Sequence, residues 1–270
     1  LGYAYDEVFK FYIARNCENN CKFFVGQHGN NYFTDINTKY LSELESSDIF
    51  ISWGKEDIPN NIKPAFNFKT VRRLKHNNNS KYLSVLTHPI IFESAPYNRD
   101  YFNKINLINL PNLLSSLEDN IKQKIRVKFH SGTLIDKNVN YYESLFKSKG
   151  LKLYNNKIKI KNMLSNSRLC FFNYESTGVF ENLAMNIPTI FYSNGYNNRL
   201  HKSYHNTYNL LKDVGIFFDD EKKLINHINN VWGNIYDWWY DNKTQENINK
   251  FNMELNIPFK NFDKLIKIFD

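Results

Sequence analysis

Short apolar runs alternate with amphipathic segments along most of this chain. In the amphipathic segments, apolar side chains recur every three or four positions, which is typical of helices that bury one face. Strand-like runs joined to such helices by short connections predict an α/β fold, with a parallel sheet covered on both faces. The predicted strands are 21–25, 49–53, 65–71, 82–87, 125–129, 151–154, 168–172, 188–192 and 216–218.

The helical segments complete this pattern and divide the chain. They are predicted at 3–16, 37–46, 112–124, 141–149, 160–165, 179–186, 206–213 and 221–239, with a helical tail within 241–270. Residues 81–240 hold enough strand–helix units for one doubly wound domain, whereas residues 1–64 hold only enough for the second half of another. We expect a linker at 65–80, a tail at 241–270 that crosses back to the first domain, and a chain that is a fragment of a longer protein.

Composition limits the class of protein. Hydrophobic residues make up 42% of the chain and aromatic residues 16%, which is enough for a packed core. No run approaches the roughly 18–20 apolar residues of a membrane-spanning helix, and Leu1–Lys10 lacks the pattern of a secretory signal. Because three cysteines form no disulfide framework, we expect a reducing, cytoplasmic compartment.

Charge and missing motifs narrow the partners. Lys and Arg exceed Asp and Glu by 35 − 27 = 8, and a positive field favours anionic partners such as nucleotides. The basic residues are dispersed along the chain, so a nucleic-acid partner is not expected. P-loop, dinucleotide-fingerprint, serine-hydrolase and zinc-protease motifs are absent, as is the Asp-x-Asp pattern of metal-dependent sugar transfer. We therefore predict no metal site.

Polar residues and glycines gather at the carboxyl ends of the predicted strands. In open parallel sheets, ligands bind beyond those ends. The candidate residues there are Gln27, His28, Gly29, Gly54, His88, His130, Ser131, Gly132, Glu175, Ser176, Thr177, Gly178 and Asn194, with Glu181 one turn into the following helix. The sequence therefore predicts a ligand site along this edge of the sheet.

Three of these groups suit specific chemistry. Ser176 or Thr177 can cap a helix whose free N–H groups and dipole bind phosphate, and Glu181 can accept hydrogen bonds from ribose hydroxyls. The turn 130–132 can hold a phosphate or a sugar carboxylate. His28, which lies between glycines, suits general-base chemistry on a hydroxyl. Ordinary helix capping, a solvated acid and structural loop histidines remain alternatives at this point.

Four segments of the chain resemble bacterial cell-surface polysaccharide transferases of the GT-B fold. They are 24–32, 47–54, 174–190 and 213–217, the last followed by Trp238-Trp239. The most specific motif is Ser-Thr-x-x-x-Glu-x-Leu-Ala-x-x-Ile-Pro-Thr, which begins at Ser176. The nearest group is the Kdo-transferase-like surface carbohydrate transferases of lipopolysaccharide and capsule synthesis.

This resemblance implies two Rossmann-like domains with a cleft between them, the N-terminal one being incomplete in this chain. Residues 1–64 would belong to the acceptor side, and residues 81–240 would bind the nucleotide-sugar donor. Ser176, Thr177 and Glu181 would contact the phosphate and ribose of that donor. The other donor-side candidates are His130, Ser131, Gly132, Glu175, Gly178 and Asn194.

The loop after the first strand carries a second resemblance. Gln27-His28-Gly29 is similar to the Trp-His-Gly loop of teichoic-acid glycerophosphotransferases, whose histidine is the base, so His28 would be the catalytic base here. Asn30 stands where the family has a second glycine. Gln27, Gly29, Asn30 and His88 would line the cleft.

The resemblance implies a metal-independent glycosyltransferase that needs no cofactor. Its donor would be a nucleotide sugar, with CMP-linked acidic sugars such as Kdo favoured, and its acceptor a glycan or lipid-linked glycan. Peripheral association with the cytoplasmic face of the inner membrane is expected. Two alternatives stay open: a CDP-alditol glycerophosphotransferase, and a sugar-binding or scaffold domain without catalysis.

Overall fold

The strands of this chain form two parallel sheets. The computed structural model describes residues 6–30, 32–36, 41–54, 61–72, 74, 76–77, 79–88, 99–155, 157–194 and 199–269. Within these residues, a three-stranded sheet has the order β1-β2-β3, and a six-stranded sheet has the order β6-β5-β4-β7-β8-β9. The strands are β1 Phe24–Gly26, β2 Ile49–Ser52, β3 Ile62–Pro64, β4 Tyr82–Leu86, β5 Ile125–Lys128, β6 Lys152–Leu153, β7 Ser167–Phe172, β8 Thr189–Tyr192 and β9 Phe217–Phe218. Every pairing between them is parallel, so the predicted α/β class is confirmed.

Helices connect the strands as expected for such sheets. The α-helices are α1 Glu7–Glu18, α2 Leu41–Ser46, α3 Arg99–Ser115, α4 Asp119–Lys122, α5 Ser131–Leu134, α6 Val139–Ser148, α7 Ile160–Ser165, α8 Thr177–Ala184, α9 His205–Asp213, α10 Glu221–Val231, α11 Ile235–Trp239, α12 Asn242–Leu255 and α13 Asp263–Phe269. Short 3₁₀ turns lie at Phe68–Thr70, Lys202–Tyr204 and Trp232–Asn234. The predicted helix starts at 3 and 37 lie outside the described residues.

The six-stranded sheet buries both of its faces. Side chains of a strand point alternately to opposite faces, and β7 follows this rule. Leu169 and Phe171 join one buried cluster, which α3, α6 and α10 cover. Cys170 and Phe172 join a second cluster, which α8, α9 and α12 cover. The near-continuous apolar run of β7 is thus the mark of a strand covered by helices on both sides.

One predicted helix was wrong in position. The sequence predicted a helix at 112–124. A proline lacks an N–H and usually ends or begins a helix. Instead α3 runs from Arg99 to Ser115 with Pro111 inside it. Leu107 and Leu114 lie on opposite sides of this proline and are both fully buried, so core packing keeps the helix continuous.

Two further boundaries differ from the prediction. The predicted strand at 65–71 is replaced by β3 and a 3₁₀ turn, because the Asn67 side chain accepts a hydrogen bond from the Lys69 N–H at 2.9 Å and starts the turn. The predicted helix at 221–239 is broken into α10 and α11. Arg168 donates to the carbonyls of Trp232 and Gly233, both at 2.9 Å, and this holds the intervening turn.

The segment after α12 contacts the three-stranded sheet. Ile257 donates its N–H to the carbonyl of Trp53 at 2.7 Å and accepts a hydrogen bond from the N–H of Asn67 at 2.7 Å. Gly54 lies against the end of α12, where a Cβ atom would come within 2.1 Å of the Glu254 carbonyl oxygen. The chain therefore returns from the second sheet to the first through close backbone contact.

Candidate functional site

The loop after β1 and the start of α8 lie in contact, and this contact joins the two sheets. Thr177 donates a hydrogen bond to Asn30 Oδ1 at 3.1 Å, and the Asn30 N–H lies 3.4 Å from Thr177 Oγ1. At Gly29, a Cβ atom would approach the Thr177 hydroxyl to 3.2 Å. The structure therefore brings together two groups of candidate residues that are far apart in the sequence.

Gln27 shapes this loop from within. Its side chain is 6% exposed and uses both ends of its amide on backbone groups. Nε2 donates to the Gly29 carbonyl at 2.8 Å, and Oε1 accepts from the Trp53 N–H at 2.8 Å. Gln27 thus ties the loop after β1 to the end of β2, and its polar atoms are occupied by backbone groups.

His28 is half-buried in the same loop. Its Nδ1 atom is hydrogen-bonded to the Tyr32 hydroxyl, which in turn donates to Glu43 Oε2 at 2.6 Å. Burial lowers the pKa of His28, the negative charge of Glu43 opposes that effect, and the positive charge of Lys69 adds to it. The ring is therefore neutral near pH 7, as a general base must be before it accepts a proton.

The start of α8 contains a buried hydroxyl without a partner. Ser176 occupies the N-cap position, yet its side chain makes no capping hydrogen bond. It is 7% exposed, and its Oγ atom has no hydrogen-bond partner among the described residues. Buried polar atoms are nearly always paired, so an unpaired one at the positive end of a helix is suited to an anionic ligand.

Two other candidates at this junction are engaged in packing. Glu175 is 9% exposed and accepts a hydrogen bond from the buried Tyr208 hydroxyl. At Gly178, a Cβ atom would lie 2.8 Å from the Phe172 ring. Gly178 therefore permits α8 to pack closely on β7, and Glu175 faces the interior.

Glu181 lies one turn into α8, close to two lysines. Burial raises the pKa of its carboxyl, while the positive charges of Lys69 and Lys161 act in the opposite direction. Lys69 belongs to the 3₁₀ turn after β3 and affects both His28 and Glu181. We did not identify Lys69 from the sequence, because only the folded chain brings that turn close to α8.

The remaining donor-side candidates lie at the ends of β5 and β8. His130 Nδ1 accepts a hydrogen bond from the Gly132 N–H at 3.0 Å, and burial lowers the pKa of this histidine. Ser131 and Asn194 are exposed. Lys128, at the end of β5, is 7% exposed, and burial lowers its pKa. Its position on the strand face opposite Val127 was the sequence signal that could have identified it.

His88, at the end of β4, is bound to its surroundings through its backbone. Its N–H donates to Asn173 Oδ1 at 2.7 Å, and its carbonyl accepts from Thr133 at 3.3 Å. Its ring centroid lies 4.5 Å from that of Tyr174. The Nδ2 atom of Asn173 is buried and has no hydrogen-bond partner in the described part of the chain. It is a second buried donor without a partner at the end of β7.

Other parts of the described structure add little to this site. A cavity of about 550 Å³ lies between α9, α10 and α12, lined in part by Lys212, His227 and Trp238, and it contains none of the candidate residues. Within the described ranges, no group of three or more His, Cys, Asp or Glu residues is arranged to hold a metal ion. Likewise, none of the described helices has the length and hydropathy needed to span a bilayer.

Residues 1–267 match the LIC12162 family of transferases. The chain belongs to that family. This match covers nearly the whole sequence and agrees with the predicted transferase. No curated protein matches the chain at a significant level.

Several solved structures resemble this LIC12162-family member. MurG from Acinetobacter baumannii has a TM-score of 0.51 at 11% identity, over 95% of this chain and 68% of that chain. The wall teichoic acid polymerase TagF has a TM-score of 0.44 at 13% identity, over 84% and 56%. The spinosyn rhamnosyltransferase SpnG with spinosyn aglycone has 0.41 at 11% identity, over 78% and 55%. The MurG match confirms the predicted GT-B-like class. The chain spans about half to two thirds of these three structures.

Proposed function

We propose that this chain carries the donor site of a metal-independent glycosyltransferase that moves a sugar from a nucleotide donor to a glycan acceptor. The observation that carries this proposal is the buried Ser176 hydroxyl at the positive end of α8, next to Thr177, which contacts Asn30 in the loop after β1. A donor bound there would have its phosphates at the helix start and its sugar toward His28.

Each group near the junction has a role in this scheme. The free N–H groups of α8 and Ser176 Oγ would bind the donor phosphates, and Lys69 would add positive charge. Glu181 would accept hydrogen bonds from the ribose hydroxyls. Thr177 would also bind the donor, once its hydrogen bond to Asn30 is exchanged for one to the donor.

The reaction follows from this arrangement. The acceptor oxygen forms a bond to the anomeric carbon, and the bond from that carbon to the phosphate oxygen breaks. His28 takes the proton of the acceptor hydroxyl, and the nucleotide leaves with the electron pair. Stabilisation of the departing phosphate by the α8 N–H groups would supply much of the rate, because dipoles fixed in advance need no reorganisation.

We further propose an acidic sugar such as Kdo on a CMP-linked donor, and a glycan or lipid-linked glycan as acceptor at the cytoplasmic face of the inner membrane. The resemblance to surface-polysaccharide transferases and the two lysines beside Glu181 support an anionic donor. A CDP-alditol glycerophosphotransferase is the second candidate, favoured by the Gln27-His28-Gly29 loop. The products separate the two, since only the second leaves a phosphodiester.

Nucleotide binding tests the site directly. We expect a cytidine nucleotide at about 100 times its dissociation constant to add roughly 2.7 kcal/mol to the free energy of unfolding, and EDTA to leave that gain unchanged. CMP, CDP, UDP, GDP and ADP would be compared by thermal shift. Ser176→Ala should weaken the response, while the control Ser148→Ala, at an exposed serine of α6, should not.

The outcomes divide the candidates. Stabilisation by UDP or GDP alone would keep the site and overturn the cytidine donor. A folded chain that responds to no nucleotide would overturn the donor site and favour a sugar-binding or scaffold domain. A response that EDTA abolishes would overturn metal independence.

A further inference from the structure

A series of hydrogen-bonded polar side chains runs from His28 into the protein interior beside the three-stranded sheet. The Nδ1 atom of His28 contacts the Tyr32 hydroxyl, and that hydroxyl contacts Glu43 Oε2 at 2.6 Å. Glu43 Oε2 lies 3.9 Å from His28 Nδ1. Tyr32 is 6% exposed and Glu43 is 5% exposed, so this series of contacts ends at a deeply buried carboxylate.

The positions of the Tyr32 hydroxyl proton and the His28 ring proton follow from the number of donors that each group has. A tyrosine hydroxyl has one proton, and Tyr32 donates it to Glu43. The Tyr32 oxygen can therefore only accept a hydrogen bond from His28, so the proton of the neutral ring sits on Nδ1. The lone pair is then on Nε2, which becomes the basic nitrogen.

We propose that Tyr32 and Glu43 are positioning residues, which hold His28 in the Nδ1–H tautomer and stabilise the imidazolium that forms when Nε2 accepts a proton. This inference rests on the proposed role of His28 as the base. Glu43 acts through Tyr32, and both side chains are buried. The negative charge of Glu43 on α2 favours the protonated His28 ring, and the positive charge of Lys69 on the turn after β3 disfavours it.

Packing alone does not account for these two side chains. The Tyr32 ring packs against Phe50, with centroids 5.3 Å apart, and a phenylalanine would preserve that contact. Burying a carboxylate carries a desolvation cost that its hydrogen bond to Tyr32 need not repay, and an apolar residue would fill the same space without that cost. The hydroxyl and the carboxylate are therefore best explained by what they do for His28.

The tautomer can be measured without any enzymatic activity. In ¹⁵N-histidine-labelled protein, two-bond ¹H–¹⁵N spectra distinguish Nδ1–H from Nε2–H rings, and His28→Gln assigns the His28 signal. We expect the Nδ1–H form in the wild type and a shift toward the Nε2–H form in Tyr32→Phe. The control Tyr12→Phe, at an exposed tyrosine of α1, should leave the His28 signal unchanged.

A second variant tests the charge of Glu43. Glu43→Gln should lower the measured pKa of His28 by about one unit, because it removes a nearby negative charge. An Nε2–H ring in the wild type, or a tautomer and a pKa that both variants leave unchanged, would overturn the proposal. If Tyr32→Phe does not fold, the wild-type tautomer and Glu43→Gln still decide it.

Failure of the proposed function would be seen separately. If His28→Ala left sugar transfer by the full protein unchanged, His28 would not be the base, whatever the spectra of Tyr32→Phe showed. If His28 is the base, Tyr32→Phe should lower kcat about 10-fold with little change in KM and should shift the pH profile of kcat. An unchanged kcat and pH profile would overturn the positioning role.

Discussion

Thr177 donates a hydrogen bond to Asn30 at 3.1 Å across 147 positions of sequence, and this bond joins the start of α8 to the loop after β1. The link depends on the Asn30 side chain, whose Oδ1 atom accepts the hydrogen bond from Thr177. A donor that enters the junction must compete with Asn30 for the Thr177 hydroxyl. The proposed site is therefore held together by the same atoms that it would use for binding.

We expect Asn30 and Thr177 to be coupled energetically. Asn30→Ala and Thr177→Val should each lower the free energy of unfolding by about 1 kcal/mol, the typical net value of a neutral hydrogen bond. The double variant should lose little more than either single variant, because both remove the same bond. Denaturant unfolding measures all three. Asn19→Ala, at the exposed end of α1, should instead add independently to Thr177→Val.

Gly54 should tolerate no side chain. A Cβ atom there would lie 2.1 Å from the Glu254 carbonyl oxygen and 2.6 Å from Leu255 Cα, and backbone atoms cannot move aside cheaply. We expect Gly54→Ala to lower the free energy of unfolding by about 2–3 kcal/mol. Gly233→Ala is the matched control, because a Cβ atom there meets nothing within 4 Å. Equal effects of the two variants in denaturant unfolding would contradict the close approach of α12 to Gly54.

Acid should destabilise the fold in part through His227. Burial lowers the pKa of His227 to about 4, against about 6.5 in an unfolded chain. Between these values the unfolded state binds more protons, so stability is full above pH 6.5 and falls as the pH drops toward 4.

Comparison with His227→Gln isolates this effect. The stability advantage of the wild type over the variant should shrink below pH 6.5 by up to about 1.4 kcal/mol per pH unit. His28 and His130, whose pKa values are also lowered by burial, are present in both proteins and cancel. A difference that does not vary between pH 7 and pH 4.5 would show that His227 is not buried.

The three thiols should differ in reactivity. Cys170 is fully buried in β7, and burial raises its pKa to about 12, so almost no thiolate forms at pH 8. Cys17 and Cys21 are exposed. An aromatic disulfide reagent should therefore react with two thiols in the native protein and with the third only in guanidinium. In Cys17→Ser/Cys21→Ser, rapid reaction of the remaining thiol would contradict the position of β7 in the core.

Most strands could be predicted from the sequence, because a strand that is buried on both faces consists of a local run of apolar residues. In β7, an apolar residue stands at every position from Leu169 to Phe172, as it must when helices cover both faces. Prediction from the sequence failed where tertiary contacts override the local preference for or against a helix. Pro111 should have ended a helix, but Leu107 and Leu114 anchor α3 on both sides of it. Gly233 and the carbonyl contacts of Arg168 likewise break a helix whose apolar pattern runs on.

The residues of the candidate site likewise include some that the sequence identified and some that it did not. The strand-end rule identified His28, Ser176 and Thr177, because a parallel sheet places its carboxyl ends along one edge. It did not identify Lys69 or Glu43, which lie in a 3₁₀ turn and on a short helix. Their relation to His28 is set by how the segments that follow β1 and β3 fold, and it cannot be read from the spacing of residues in the sequence.

For this protein, the sequence by itself determined the α/β class, the parallel strands and the residues at their ends, because local periodicity and strand–helix alternation reflect burial and connection length. Only the tertiary structure decided that Asn30 meets Thr177, that Glu43 stands behind His28, and that Ser176 is buried without a partner in the described chain. These facts depend on the approach of distant segments, where a shift of one ångström makes or breaks a hydrogen bond.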